Sequence, residues 1–532
     1  MKKSIYTLAF ACLAVSSFGQ NANTYGMLAN PTNLLLNPGA DPISNFHLGL
    51  GHINQSLDLG VSAGDVFGGS DGVLGNLSNT DLETLSFSSE TSIDAMSLGL
   101  KVGKSYLFAG TRFDIFSSNS IDMDLVRFGY AGMVDANGDF DVNYLGDFSS
   151  TAVSLDVVAN VYVGLQRAFL DNKLRIGATY NQSRYVAGAR VNTNDFFIQS
   201  SPQSNGLNQV AVGYDFEIQT ANLLEEGSTV AEVQELANYL VTDPAKAQTF
   251  LLSPVAVANT FGFGIGFKPI RQLELQFSMN GLGASGFDNI GARSHSFGNE
   301  DTFSGMDYVS STGDSLASSI QDSLSSFLDQ VTNFADQTLT ETSSSFNASI
   351  PQNTNAAMMV YLGKRSYIGA HYTRRTNSIR DYEYLGGNIY WWAGKELQIK
   401  AGYYTSLDNT NLDFMTASLQ FRFTPFIQVF VGTRSVMDLA TITDAFFASS
   451  SDLPTFVKNP VVPASMNGVQ INAGVSMAFY DHRFKEERME RKEKKAAKKA
   501  AEVVSPEVLT PADAERVDRA YDNSKVVEEV KK

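Results

Sequence analysis

The chain has 532 residues, a single cysteine, 43% hydrophobic residues and a formal net charge of -17. That acidity argues against nucleic acid, because no phosphate-binding stripe occurs outside the final tail. No stretch beyond the N-terminus reaches the roughly 18 to 20 consecutive apolar residues of a helical membrane span, but strands that turn every second residue to lipid remain open at a mean hydropathy of -0.10.

Residues 1 to 19 read as a secretory signal: Lys2 and Lys3, an apolar run from Ile5 to Val15, then small residues up to Gly19. Cys12 lies inside it, so the mature chain from Gln20 would hold no disulfide, no thiolate metal site and no cysteine nucleophile. Acylation at Cys12 is disfavoured by the short apolar region and by Phe10 where a small residue is expected. Residues 20 to 45 contain Asn30-Pro31 and Asn37-Pro38-Gly39, which exclude a wall strand and suggest turns. This segment either folds into a lumen as a plug or sits beneath it in the periplasm.

Residues 46 to 484 form a ladder of alternating apolar and polar stretches, which predicts an all-β fold: a transmembrane, antiparallel, up-and-down barrel. Strands are expected near 46–60, 95–102, 105–116, 155–168, 174–186, 189–199, 209–219 and 259–268. The second half continues near 273–280, 355–362, 366–376, 381–392, 397–406, 412–423, 426–434 and 468–480. The total is about sixteen, or fourteen if the pair near 189–219 is miscounted. Short turns such as Gly103-Lys104 and Asp171-Asn172-Lys173 alternate with long connections at 61–94, 117–154, 220–258, 281–354 and 435–466. Bacterial barrels keep short turns in the periplasm, so both termini are expected there.

Alternation also assigns faces. Ile471, Val475, Leu275, Phe277, Met415 and Leu419 are expected to face lipid, as are Val210, Val212, Tyr214, Phe216 and Ile218. The polar lumen is predicted to be lined by Gln166, Arg175, Asp215, Glu217, Glu274, Lys400, Arg422 and Asn472. Trp391, Trp392, Tyr382, Tyr384, Tyr403 and Tyr404 fit interfacial girdles, although neighbours among them point to opposite faces. In the stretch from Phe261 to Phe267 every inward position is glycine. Interior strand glycines serve barrel curvature or the close approach of another backbone. Gly262, Gly264 and Gly266 are therefore candidate plug contacts, with residues 20 to 45 as the backbone in question.

Helical insertions are expected in two extracellular loops, at 314–334 and near 230–240. Asp135, Asn137, Asp139 and Asp141 cluster hard oxygen ligands and form a weak calcium candidate, since the glycine stands fourth and no bidentate glutamate follows. An acidic Asn-Gly turn accounts for the same residues. No other metal and no cofactor is expected. Residues 485–532 read as a charged periplasmic tail, either simply solvated or engaging a periplasmic or cell-wall partner. No catalytic constellation is legible: His47 and His52 are separated by an odd number and should face opposite sides, and no Gly-x-Ser-x-Gly elbow, phosphate loop or zinc spacing occurs. The chain is read as a non-enzyme.

The signal peptide, Tyr25-Gly26-Met27, Asn37-Pro38-Gly39-Ala40-Asp41 and the first strand together resemble Bacteroidota outer-membrane barrels of unknown function. More distantly the arrangement is similar to PorP/SprF-like barrels and to the fatty-acid porin FadL, whose mature N-terminus carries an Asn-Pro-Ala element. Gly39 departs from that element. The resemblance implies a barrel in the outer membrane, in contact with its lipid. It also leaves two functions open: passive uptake of small or hydrophobic solutes, or a non-transporting scaffold associated with secretion or gliding. Solute, partner and oligomeric state are not legible.

Overall fold

The computed structural model describes residues 24–479 and Lys495, apart from 28–29, 31, 43, 60, 62–76, 134–140, 203–207, 223–253, 307–341, 364–365, 377–380, 394–396, 408–413, 424–425 and 435–467. Residues Met1–Phe479 make one compact unit and Tyr480–Lys532 a second. The signal segment, both predicted loop helices and, save Lys495, the tail lie outside the described residues.

Fourteen antiparallel strands close into a barrel. In ring order they are β1 (Phe46–Leu59), β2 (Thr84–Val102), β3 (Ser105–Asp122), β5 (Ala152–Phe169), β6 (Leu174–Pro202), β8 (Ala256–Ile270) and β9 (Leu273–Gly283). The ring continues through β12 (Gln352–Tyr361), β13 (Tyr367–Thr376), β14 (Tyr382–Ala393), β15 (Leu397–Ser406), β16 (Phe414–Arg422), β17 (Ile427–Arg434) and β18 (Gly468–Phe479). Phe479 then pairs with Phe46, so the strands that begin and end the ring meet on the short-turn side. Among the described residues, four more strands, β4 (Leu145–Asp147), β7 (Asn208–Ala221), β10 (Gly286–Met306) and β11 (Thr342–Ser349), lie outside the ring, with the helices α1 (Asn33–Leu36) and α2 (Met123–Ala131).

The count settles at fourteen because the stretches expected at 189–199 and 209–219 are not wall strands. β6 runs unbroken for 29 residues. At about 3.3 Å per residue that is roughly 95 Å, near three times what a tilted strand needs to cross a bilayer. Its first part, Leu174–Tyr185, pairs with β8, and from Gly188 onward it pairs with β7, which in turn pairs with β10. This side sheet covers an apolar cluster containing Phe148, Phe196, Ile198, Val210, Tyr214 and Phe216, with Leu125 and Phe128 of α2 packed against it. Val210, Tyr214 and Phe216 are thus buried beneath protein instead of facing lipid, and Asp215 and Glu217 do not line the lumen. The long connections also hold more strand than expected: β2 begins at Thr84, β3 reaches Asp122, and β10 and β11 occupy part of 281–354.

Within the ring the alternation holds. Leu275, Phe277, Met415, Leu419, Phe421, Ile471 and Val475 are exposed on the outside, while Glu274, Gln276, Gln420, Asn472 and Ser476 are buried. Of the aromatic set, Trp391 and Tyr403 face out, whereas Trp392, Tyr382, Tyr384 and Tyr404 face in. If the outer belt meets lipid, Leu419→Arg should destabilise by about 2–4 kcal/mol and Leu407→Arg, at the rim, by about 1 or less. Urea titration in detergent measures both, and equal losses would contradict a lipid belt.

One parity expectation fails. His47 and His52 are both buried, because β1 carries an extra residue between Gly49 and His52 against β18, with Gly51 at φ +121°. A bulge turns the strand by one residue, so positions five apart share a face. His47 bonds to the Tyr106 hydroxyl (2.7 Å) and His52 to Asp94 (2.7 Å).

Candidate functional site: a plugged lumen

The described residues between Thr24 and Ala40 lie inside the barrel and are folded by their own asparagines. Asn30 Oδ1 accepts from the Thr32 amide (3.1 Å), Asn33 Oδ1 from the Gly26 amide (3.1 Å) and Asn37 Oδ1 from the Gly39 amide (2.8 Å). The last is an Asx turn, the local structure that Asn-Pro-Gly favours. Such a compact segment leaves many carbonyls without backbone partners, and an unpaired buried carbonyl is unfavourable.

The wall supplies the missing donors. Lys400 Nζ donates to Tyr25 O (2.7 Å), and the Tyr367 hydroxyl to Gly26 O (2.9 Å). Ser278 Oγ and Asn280 Nδ2 share Leu36 O (2.7 and 2.8 Å). Gln166 Nε2 donates to Pro38 O (2.8 Å) and to Ala40 O, and Arg175 Nε to Gly39 O (3.3 Å). Arg175 is fixed in turn by an ion pair with Glu274, which also accepts from the Tyr361 hydroxyl (2.9 Å). Apolar contacts clamp the segment from two sides: Tyr25 and Leu36 join Met359, Tyr361, Tyr367 and Tyr390, while Leu34 and Ala40 join Tyr106, Phe108 and Tyr162. The Tyr25 ring stacks on His371 at 4.2 Å and 12°. The neutral Tyr25 phenol accepts from Asn37 Nδ2 (3.2 Å), and burial pushes its ionisation further above the ordinary range.

Two of the three glycines singled out in β8 touch this segment. A Cβ on Gly264 would stand 2.3 Å from Asn37 Oδ1 and 2.6 Å from Gly39 N, and one on Gly266 would stand 2.5 Å from Gly39 O. Gly262 instead faces Thr179 and Asn280. The approach is mutual, since a Cβ on Gly39 would meet the Ile265 amide nitrogen at 2.6 Å. This gives a physical reason for the departure at Gly39: backbone lies on backbone there, with no room for a side chain.

The remaining predicted residues separate by position. Gln166, Arg175, Glu274 and Lys400 lie in the lumen, bonded to the segment or to its anchors. Asn472 is buried in β18, and Arg422 is half-buried at the short-turn end of β16. Asp135, Asn137 and Asp139 fall outside the described residues. The Asp141 carboxylate accepts from the Asn143 amide (2.9 Å), and no metal-binding cluster is found among the described residues.

Alternation could not show what meets across the barrel. Glu90 on β2 pairs with Arg375 on β13, seven strands away in either direction round the ring. A circular section of fourteen strands, about 4.8 Å apart and tilted by about 40°, is roughly 28 Å wide. Extended arginine and glutamate together span roughly 12–14 Å between Cα atoms. The wall is therefore drawn in at this level. Arg112 lies 4.0 Å from Glu90 and bonds Asp114 (2.7 Å), which also accepts from Ser92 (2.6 Å) and Asn160 (2.7 Å). Above the plug this network borders a cavity of about 120 Å³, with Leu35 and Leu36 of the plug among its lining and Phe116 and Ile350 on the side of the long connections.

A family model matches residues 38–433, which span most of the wall. The chain belongs to DUF5723, a family of unknown function. No curated protein matches this DUF5723 member. Among solved structures it is similar to a Pseudomonas aeruginosa FadL homologue, at 10% identity and a TM-score of 0.39, over 87% of this chain and 100% of that one. It is also similar to the Pseudomonas putida toluene transporter TodX (10%, TM-score 0.37, 87% and 94%) and to the Ralstonia pickettii toluene transporter TbuX (8%, TM-score 0.35, 82% and 89%). Toluene is what those two proteins are described as transporting, and nothing about the solute of this chain follows from it.

Proposed function

We propose that this chain is an outer-membrane uptake barrel for small solutes, shut at rest by its own N-terminal segment, and that it works without catalysis. The observation that carries the reading is how the segment is held. It adds no strand to the wall, and its carbonyls are gripped by side chains. The neutral bonds contribute about 1 kcal/mol net each and those from Lys400 and Arg175 about 1.5–3, so no single contact fixes the segment, and it can leave in steps while the strand ladder stays intact. A purely structural filler would more simply be apolar, whereas this one floors a cavity bordered by polar groups. Small hydrophobic solutes and polar ones both remain compatible with a plugged barrel.

The scaffold reading is favoured by one feature, the side sheet of β4, β7, β10, β11 and the far half of β6, which extends beyond the ring on the long-connection side and makes no contact with the plug among the described residues. Planar-bilayer conductance separates the two readings. Intact protein is expected to be silent or to open briefly, and protein lacking residues 24–42 to conduct steadily. No conductance in either form would leave the scaffold reading standing.

A further inference from the structure

Register divides the lumen beside β3, β5, β6, β8 and β9 into layers. At the bottom are the plug and the glycines that admit it. Next comes a polar belt, where Tyr162 pairs with Asn181 and Asn181 with Thr260. Above it lies an apolar cluster containing Phe116, Val158, Tyr185, Phe287 and Ile350. The cavity occupies the belt, with Leu35 and Leu36 as its floor and Phe116 and Ile350 as its roof. At about 10–15 Å³ of probe-centre space per water, 120 Å³ holds roughly ten waters, or one molecule of about a dozen non-hydrogen atoms.

The polar lining of this space includes Arg112, Asn160, Asn181, Thr260, Asn280 and Asn353, interleaved with apolar groups such as Val158 and Phe261. Its charge is already closed, since Arg112 is bonded to Asp114 and Arg375 to Glu90. A charged solute would therefore enter without a counter-charge, which is strongly unfavourable in a buried site. A hydrocarbon would strip water from carboxamides and hydroxyls and return no hydrogen bonds. A ring with hydroxyls around its edge and C–H groups on its faces meets both conditions. The edge donates to and accepts from the belt, and the faces lie against the leucine floor and the Phe116–Ile350 roof.

We propose that the chamber binds one small, uncharged, polyhydroxylated ring of monosaccharide size. The proposal takes from the uptake reading only the idea that such a solute is passed onward; binding itself requires no opening of the plug. Saturation-transfer NMR on full-length protein in detergent tests it, with methyl β-glucoside, toluene and octanoate as probes. The glucoside is expected to receive saturation. Asn353→Leu and Thr260→Val should each weaken its apparent affinity about tenfold or more, and Gln428→Leu, on the far wall, should leave it unchanged. Asn353 is partly accessible, so at least that variant should fold, which retention of heat-modifiable gel mobility checks. Toluene or octanoate binding without the glucoside, no binding of any probe, or equal loss in Gln428→Leu would each overturn the proposal. Binding without any conductance would overturn uptake alone, and conductance after plug deletion without binding would overturn this site alone.

Discussion

Gly264→Leu is expected to turn a closed barrel into an open one. Gly264 sits where β8 meets the Asn37-Pro38-Gly39 turn, and even a single methyl there would stand 2.3 Å from Asn37 Oδ1 and 2.6 Å from the Gly39 nitrogen. Neither atom can yield locally. Asn37 Oδ1 closes the turn, and Gly39 is held through its carbonyl by Arg175. A leucine therefore displaces the turn, and with it the bonds from Gln166 and Arg175 that depend on its position. The strand should survive, since the substitution adds a better strand former and leaves the backbone pairing of β8 with β6 and β9 in place. The expected result is normal heat-modifiable mobility together with steady single-channel conductance. Gln428→Leu, on β17 at the opposite side of the ring, should remain as silent as the parent. Equal behaviour of the two variants would return the β8 glycines to the simple curvature explanation.

The second large effect is expected at the ion pair across the lumen. Arg375→Met leaves Glu90 buried with only Arg112, 4.0 Å away, to answer its charge. Removing one partner of a buried pair typically destabilises by about 3–5 kcal/mol, and the remaining arginine places this case near the lower end. Combining Arg375→Met with Glu90→Leu removes both charges and should recover most of the loss, because two apolar side chains of similar reach can meet where the pair did. Urea unfolding of the two single variants and the double variant in detergent gives the coupling energy directly. An Arg375→Met variant as stable as the parent would mean that the two walls are not held together through this contact.

The ladder, its faces and the parity of its ends were legible in the sequence, because a strand with lipid on one side and water or polar groups on the other must alternate with a period of two. Leu275 over Glu274 and Ile471 over Asn472 are cases in which two neighbouring residues suffice to tell outside from inside. The same rule explains its own failures. A sheet outside the ring that packs on an apolar cluster alternates just as a wall strand does, so Val210, Tyr214 and Phe216 read as lipid-facing until their pairing partners are known. A single inserted residue reverses parity without leaving a mark in composition, which is why His47 and His52 share a face. Local chemistry also reached part of the site. Asn-Pro-Gly announces a turn, and three inward glycines on β8 announce a close approach, each from the properties of a few adjacent residues. What only the tertiary structure decided is which chain comes close and what it meets. The grip of Gln166, Arg175, Ser278 and Lys400 on the plug carbonyls, the stacking of Tyr25 on His371, and the meeting of Glu90 with Arg375 join residues up to 375 positions apart. Those contacts depend on how fourteen strands close and where the wall draws in, and no local periodicity encodes that geometry.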